Sequence, residues 1–281
     1  MPVVIVTGSQ ACIPRDVLES YDIVVLPYTL ELDGRVYHDG IDISPEEFYR
    51  ALPSLASPPR TSGIPPGVFL DTFDKISSRA DGILVITIAN AMSTVFNNAH
   101  LAMESFSKVP VRLLDSGTAA IAQGLVVLEA AKASREGATL DDCYEAAKRA
   151  SRDVELYAYI STFEYLRQSG RVNGIKAFAA NALSIKPVFK FKQGDPVLVG
   201  NRRSTEKARL YIADEAEAFY VERGPLQLAI FHADARDEAD DLTSLILQRI
   251  ETSAEVILTE FTPVMGVHTG PGVVGAAFTR G

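Results

Sequence analysis

Apolar runs of strand length alternate with amphipathic stretches in the first half of the chain. The runs occupy residues 3–7, 23–26, 83–88 and 111–114. Runs of this kind, rich in β-branched residues and followed by turn residues, are typical of strands buried on both faces of a parallel sheet. Helical spacing follows the last two runs, over about residues 93–106 and 118–135, and occurs again over 139–152. The order strand, loop, helix predicts parallel βαβ units, with ligands expected where the strands end.

Helix-start and loop signals interrupt this pattern between residues 44 and 67. Ser44, Pro45 and Glu47 combine an N-cap serine, a proline in the first turn and a glutamate three residues after the cap, which predicts the start of a short helix. Prolines follow at positions 53, 58, 59, 65 and 66. Because proline disrupts helices and sheet ladders, residues 53–67 are predicted to be a long extended loop that carries Thr61 and Ser62.

The pattern changes after about residue 153. Strands of more alternating polarity are predicted at 157–161, 188–192, 196–199, 227–232 and 255–259, with helices at about 205–221 and 238–250. Residues 266–278 predict a glycine-rich loop and a short apolar run. The expected fold class is α/β with two α/β domains: residues 1–152 with a parallel sheet, and residues 153–281 with a mixed sheet.

Composition places the chain among globular proteins. Of its 281 residues, 47% are apolar and 22% are charged, which excludes disordered and fibrous classes. Its two cysteines, Cys12 and Cys143, are far apart in the sequence and suit a reducing compartment. Signal-peptide features are missing, and no segment approaches the roughly 20 apolar residues that span a bilayer. We therefore expect a cytoplasmic protein without a membrane span.

Charge is distributed unevenly along the chain. The formal net charge is −9, and an excess of carboxylates repels a polyphosphate backbone, so no nucleic-acid partner is expected. Between Arg167 and Arg209, however, ten Lys or Arg residues stand against two acidic residues. Such a basic segment in an acidic protein is either a solvated surface or a docking site for an anionic partner.

Common catalytic and cofactor motifs are missing from the sequence. It contains no GxGxxG, P-loop, HExxH or GxSxG pattern. The histidines are widely separated, at positions 38, 100, 232 and 268, so only the fold could assemble a metal site from them. We expect neither a cofactor nor a metal.

Short hydroxyl side chains recur in the predicted loops. They are Thr7, Ser9, Thr61, Ser62, Ser93, Thr94 and Ser116, and His268 lies in a further glycine-rich segment. Hydroxyls beside glycines or helix starts can bind a carboxylate or phosphate together with backbone N–H groups. Taken alone, each has the simpler explanation of a cap or turn residue, and Ser93 in particular could be the N-cap of the helix that follows.

Six segments, taken together and in order, resemble the DegV family. They are Thr61-Ser62 before a proline-containing loop, Ser93-Thr94 after a strand, Asp115-Ser116, Ser169-Gly170-Arg171-Val172, Ile185-Lys186-Pro187 and the run from Gly266 to Gly272. The resemblance extends from Val3 to Phe278. The family includes the fatty-acid-binding subunits of bacterial fatty acid kinase.

The resemblance implies a long-chain fatty acid in an apolar tunnel between the two α/β domains. Thr61 and Ser93 would then hold the carboxylate, with His268 and Arg171 near the head group. Ser62 and Thr94, the neighbours of the two clamp residues, complete the implied ligand-binding set. Two departures from the family pattern lie in this region: Gly8 stands where an aspartate is usual, and Thr94 stands where a glycine is usual.

The resemblance also implies partners. A separate ATP-dependent fatty acid kinase subunit would supply ATP and metal and phosphorylate the carboxylate, and an acyltransferase would receive the acyl phosphate. Arg171 and Arg202, both in the basic segment, would belong to the docking face. The protein itself would be a carrier and not an enzyme.

Physical chemistry supports a fatty acid independently of the family. Burial of a methylene is worth about 0.8 kcal/mol, so about 14 methylenes could contribute on the order of 11 kcal/mol before ordering costs. Two other functions remain open. One is a serine-dependent acyl hydrolase or acyltransferase with Ser93 as nucleophile and His268 as base. The other is an interaction or regulatory protein whose hydroxyl loops are only structural.

Overall fold

The computed structural model describes residues 1–170, 185–192 and 194–281. The strands within these ranges form three sheets. They are β1 (Val3–Gly8), β2 (Val24–Leu26), β3 (Thr29–Leu32), β4 (Arg35–His38), β5 (Arg60–Ser62), β6 (Gly82–Thr87), β7 (Val111–Asp115), β8 (Glu155–Tyr159), β9 (Lys186–Lys192), β10 (Asp195–Arg202), β11 (Leu226–Ala233), β12 (Ile257–Glu260) and β13 (Val273–Arg280).

Helices cover both faces of the parallel and the mixed sheets. They are α1 (Arg15–Ser20), α2 (Pro45–Ala51), α3 (Pro66–Ile76), α4 (Val95–Glu104), α5 (Ala120–Arg135), α6 (Leu140–Asp153), α7 (Glu164–Gln168), α8 (Thr205–Arg223), α9 (Arg236–Leu247) and α10 (Pro263–Thr269). Over the described ranges, no helix has the length and apolar character needed to cross a bilayer.

The first sheet is parallel, with the strand order β2, β1, β6, β7. This confirms the parallel sheet expected from the apolar runs. Alternate residues of β1 enter two different cores. Val3 and Ile5 belong to the cluster that contains α5, whereas Val4 and Val6 belong to the cluster that contains α3 and α4. Because both faces are covered, every position of β1 is buried, and the sequence shows a continuous run instead of an alternating one.

The second sheet is mixed, as predicted, with the order β10, β9, β8, β13, β11, β12. Neighbouring strands in this sheet run antiparallel, except for β11 and β12, which run parallel to each other. The prediction that a glycine-rich loop begins at residue 266 is wrong, because residues 266–269 belong to helix α10. Pro263 takes the first position of this helix, where proline is tolerated, and the apolar run that follows is the central strand β13.

Helix α5 lies between the two sheets. It packs against β1 and β6 on one side and against β11 and β13 on the other. Most of its side chains are small or aliphatic and buried, as expected of a helix that is covered all round. Leu125 of this helix shares one hydrophobic cluster with Ile5 of the first sheet and Phe231 of the second. The division into domains 1–152 and 153–281 stays a prediction. The predicted boundary falls at the end of α6, just before β8.

A third, small sheet corrects the prediction for residues 53–67. This segment is not a continuous loop, because β5 pairs with β3 in an antiparallel sheet of order β4, β3, β5. Thr61 lies opposite Leu30 in this pairing. The prolines at 58, 59, 65 and 66 flank β5 without entering it, and Pro66 begins helix α3.

The capping signal at Ser44 is confirmed. Ser44 Oγ accepts the Glu47 backbone N–H at 3.2 Å, and the Glu47 carboxylate accepts the Ser44 N–H at 2.9 Å. This reciprocal pair satisfies two N–H groups of the first turn of α2. Helix α2 packs against α10, so its start influences where the last helix lies.

Candidate ligand-binding site

A cavity of about 590 Å³ lies between the parallel and the mixed sheets. Its volume is within the range of about 300–1,000 Å³ that is usual for small-molecule sites. Most of its deep wall is apolar and buried, and comes from the mixed sheet and the loop before α10. These residues include Leu156, Ala158, Phe189, Phe231, Phe261 and Val273. The chemistry of this wall suits a hydrocarbon chain.

One end of the cavity is polar and reaches solvent. Thr61, Ser93 and His268 line it and are half-buried, whereas Thr94 and Asn97 line it and are exposed. The sequence predicts Thr61, Ser93, Thr94 and His268 as ligand-binding residues, and the structure brings these four to one cavity. The arrangement can hold a polar head near solvent and an apolar tail inside.

Thr61 reaches the cavity because of the small sheet. Its Oγ1 lies 3.0 Å from His268 Nε2, a hydrogen bond between residues far apart in the sequence. Side chains alternate along a strand, so the neighbours of Thr61 in β5, Arg60 and Ser62, are exposed. Ser62 therefore departs from its expected place at the ligand: Thr61 lines the cavity, and Ser62 faces solvent.

Helix α10 carries His268 to the same point, and Asp39 anchors the start of this helix. Asp39 Oδ1 accepts the Val264 backbone N–H at 3.0 Å, in the first turn of α10. The Asp39 side chain is 2% exposed. Burial raises the pKa of this carboxyl above its usual value, and hydrogen bonds from neighbouring groups oppose the shift. Sequence reasoning missed Asp39, because it belongs to no motif and its partner follows far along the chain.

Two glycines let α10 pack closely. A Cβ on Gly266 would lie 2.6 Å from the ring of Phe48 in α2, so a side chain there would push the helix away. Gly270 ends the helix with a φ of +69°, in the left-handed region that favours glycine. A Cβ on Gly270 would also meet the Tyr165 ring at 2.1 Å. The glycine-rich segment of the sequence thus serves packing around His268.

Ser93 lines the cavity and lies one residue before Thr94, the N-cap of α4. Ser93 Oγ accepts the Val95 backbone N–H at 3.4 Å, at the first residue of α4. The expectation that Ser93 is the N-cap of this helix is therefore wrong by one residue, because Thr94 takes that position and makes no side-chain capping hydrogen bond. Asn98 of the same helix donates to the Ile64 carbonyl at 2.9 Å and ties α4 to the segment that follows Thr61. Thr94 has a φ of −75°, so this position does not require the glycine that is usual there.

The hydrolase alternative depends on which side chain His268 contacts. A Ser93 nucleophile would need the imidazole as its base. His268 Nε2 instead lies in hydrogen-bond contact with Thr61, and Ser93 Oγ accepts from the backbone. Among the residues that the structure describes, no three His, Cys, Asp or Glu side chains are grouped so that they could hold a metal ion.

Neither predicted docking residue lines the cavity within the described ranges. Arg171 is outside them. Arg202 lies at the end of β10, whereas Pro196 near the start of this strand lines the cavity. The Arg202 guanidinium stacks 4.1 Å from the centre of the Tyr211 ring.

Acidic residues compensate part of the basic segment. Lys190 Nζ lies 3.4 Å from the Tyr157 hydroxyl oxygen, which in turn lies 2.7 Å from Glu155 and 2.9 Å from Glu215. Both glutamates fall outside the segment that gave the high positive count. The local field at Lys190 is therefore weaker than the sequence count indicates.

Comparisons with known proteins agree with this architecture. The profile of a family described as "Uncharacterised protein, DegV family" matches residues 2–280. A DegV domain-containing protein of Streptomyces coelicolor is 32% identical over 274 residues, which cover 97% of this chain and 96% of that protein.

Solved structures with the same fold are also similar in sequence. A DegV family protein from Thermus thermophilus, described by its fatty acid binding, is 27% identical with a TM-score of 0.93, and the match covers 100% of both chains. A Thermotoga maritima protein, described as revealing a fatty acid binding function, is 26% identical with a TM-score of 0.88, covering 100% of this chain and 99% of that one.

Proposed function

This chain belongs to the DegV family, and we propose that it binds a long-chain fatty acid, with the tail in the cavity between the sheets. The observation that carries the proposal is the polarity of this cavity. Its deep wall is apolar and buried, and its solvent-facing end carries Thr61, Ser93 and His268. The fatty acid binding described for the Thermus and Thermotoga proteins supports the same ligand class.

The tail supplies most of the affinity in this proposal. Each buried methylene contributes about 0.8 kcal/mol, so about 14 of them outweigh any single polar contact. Ordering of the chain and loss of translation offset part of this gain. Leu156, Phe231 and Val273 offer the apolar surface that such a tail needs.

The polar end fixes the orientation of the ligand. Hydroxyls of Thr61 and Ser93 can donate to a carboxylate, at a net gain of about 0.5–1.5 kcal/mol each. His268, held by Thr61, limits where the carboxylate can lie. Neither hydroxyl carries a charge, so the carboxylate oxygen keeps more of its nucleophilic character than it would in a salt bridge with lysine or arginine.

We further propose that a partner kinase phosphorylates the bound carboxylate. One carboxylate oxygen attacks the γ-phosphorus of ATP held by the kinase subunit, and the bond from that phosphorus to the ADP oxygen breaks. The products are the acyl phosphate and ADP, and an acyltransferase then receives the acyl group. The exposure of Thr94 and Asn97 beside the polar end supports access for such partners. In this proposal Arg202 and Arg171 contribute to the docking contact.

The ligand proposal is tested by solvent extraction of the purified protein and mass spectrometry of the extract. We expect about one fatty acid per chain. The double variant Thr61→Ala with Ser93→Ala should retain less ligand, whereas Thr72→Ala with Ser105→Ala, which removes two helix hydroxyls outside the cavity, should retain as much as the wild type. A protein without any acyl ligand, before or after incubation with fatty acid, would contradict the proposal.

The kinase step is tested separately with a bacterial fatty acid kinase subunit, ATP and the loaded protein. Acyl phosphate, trapped with hydroxylamine, is the expected product. Arg202→Glu should lower its rate of formation without releasing the bound lipid. If lipid is lost as well, Arg202 acts on the fold and not on docking. If loaded wild type gives no acyl phosphate, the carrier role is wrong although the lipid site stands.

A further inference from the structure

Two buried polar atoms at the cavity have no hydrogen-bond partner among the described residues. They are Gln10 Oε1 and Tyr28 Oη. Both side chains line the cavity, and their exposed fractions are 2% and 6%. Buried polar atoms in native proteins nearly always have a partner, from the protein, from water or from a ligand. The pair therefore points to a polar group that a bound molecule supplies.

A buried chain of hydrogen bonds fixes the orientation of the Gln10 amide. Gln123 Nε2 donates to the Ile86 carbonyl at 3.2 Å and to the Thr7 hydroxyl at 2.9 Å. A carbonyl oxygen only accepts, so the Gln123 amide cannot be reversed. Its oxygen must then face Gln10, and it accepts from Gln10 Nε2 at 3.1 Å. The amide oxygen of Gln10 is consequently the atom left without a partner.

Tyr28 provides a donor beside this acceptor. Burial raises the pKa of the Tyr28 phenol well above its usual value, so the group keeps its proton at neutral pH. The phenol lies near the Ser93 hydroxyl, at the polar end of the cavity, without a hydrogen bond of normal geometry. A Cβ on Gly8 would lie 2.2 Å from Gln10 Oε1 and 2.8 Å from Tyr28 Cε2. The acceptor and the tyrosine ring therefore occupy the space in which a side chain at position 8 would lie.

We propose that Gln10 and Tyr28 form a subsite for a hydroxyl group on the bound acyl chain, so that the preferred ligand is a hydroxy fatty acid. This inference rests on the proposed function. A carboxylate only accepts hydrogen bonds and a methylene makes none, so an unsubstituted fatty acid leaves Gln10 Oε1 unpaired. A hydroxyl both donates and accepts, and it can pair with both atoms. Because Tyr28 adjoins Ser93, the hydroxyl belongs on one of the first carbons after the carboxylate.

Calorimetric titration of the delipidated protein with hexadecanoic acid and its α-hydroxy and β-hydroxy derivatives tests the subsite. A neutral hydrogen bond corresponds to about a threefold to tenfold change in Kd. We expect the wild type to bind one hydroxy acid more tightly than hexadecanoic acid by about this factor. Gln10→Met, which keeps the side-chain length without an acceptor, should bring the ratio of the two Kd values close to one. Gln248→Met, at the exposed end of α9, should keep the wild-type ratio.

Three outcomes separate the possibilities. Equal affinity of the wild type for the three acids overturns the subsite and assigns the two polar atoms to water. A preference for a hydroxy acid that persists in both Gln10→Met and Tyr28→Phe overturns it as well. If none of the acids binds, the proposed function fails instead. Because Gln10→Met also loses the contact with Gln123, its urea unfolding is measured in parallel, and Tyr28→Phe decides the test if this variant does not fold.

Discussion

Replacement of Asp39 by asparagine tests how the head end of the cavity is held in place. The Asp39 carboxyl accepts the Val264 N–H at 3.0 Å and is 2% exposed. Asparagine keeps an acceptor oxygen in nearly the same position but cannot ionise. Asp39→Asn therefore isolates the effect of the charge, and Asp39→Ala removes the hydrogen bond as well.

The expected pH dependence follows from the raised pKa of Asp39. Burial lifts this pKa above 3.8, so the folded protein holds the proton more tightly than the unfolded chain does. The corresponding stability is complete below pH 3.8, the unfolded value, and is lost as the pH rises through the folded pKa. Within that interval the free energy of unfolding falls by up to about 1.4 kcal/mol per pH unit relative to Asp39→Asn. Asp39→Ala should be less stable than Asp39→Asn by about 0.5–2 kcal/mol, the usual cost of a lost capping acceptor.

Urea unfolding followed by circular dichroism, in steps between about pH 4 and pH 8, measures these differences. A wild type that differs from Asp39→Asn by the same amount at every pH would refute the effect of burial on this carboxyl. Equal stability of the asparagine and alanine variants would refute the anchoring of α10. Fatty-acid titration of Asp39→Ala then reports whether a displaced α10 weakens binding through His268.

Three further predictions concern the walls of the cavity. Thr61→Val should weaken fatty-acid binding about threefold to tenfold, which is the effect of one hydrogen bond. Ser62→Ala should leave the affinity unchanged, and calorimetric titration measures both variants. A loss of affinity in Ser62→Ala would favour the expectation from the sequence, that Ser62 binds the ligand, over the structure. Gly266→Val should destabilise the protein by about 1–3 kcal/mol through overpacking against Phe48, as measured by urea unfolding, and unchanged stability would contradict the close contact. Ala158→Leu should lower the chain length of the longest fatty acid that binds well, because each methylene excluded from the cavity costs about a fourfold loss in affinity. Titration with a series of fatty acids of different length tests this. An unchanged optimum chain length would place Ala158 away from the tail.

The sequence predicts the parallel sheet because its signals are local. Residues 3–7 and 83–88 are continuous apolar runs, and the runs are continuous because helices bury both faces of the strands they form. Ser44 and Glu47 predict the start of α2 for the same reason, since all the atoms of a capping box lie within a few residues.

Strand β5 and helix α10 could not be predicted in this way. Three residues between pairs of prolines form a strand only because β3 offers its edge to them. The glycines of α10 resemble loop residues until the rings of Phe48 and Tyr165 take the space of their missing side chains. In both cases tertiary contacts determine the structure, whereas local propensity favours a loop.

The site residues that sequence reasoning missed share a physical cause. Asp39, Gln10 and Tyr28 are buried polar groups whose function depends on which partner the fold provides or withholds. The one sequence feature that pointed to these residues was Gly8, which departs from the family pattern. Its meaning required the structure, because the vacated space is filled by Gln10 and Tyr28.

The two ends of the cavity are under separate structural control. At the head end, the hydrogen bond between Thr61 and His268 joins the small sheet to α10, and Asp39 holds the start of the same helix. The tail end depends on α5 and the mixed sheet, where small residues such as Ala120 and Ala158 meet the cavity. We expect larger side chains at these positions to shorten the space for the tail and to leave Thr61 and Ser93 in place. The preference for chain length can therefore change independently of head-group recognition. This independence requires that the carboxylate stay at one fixed point.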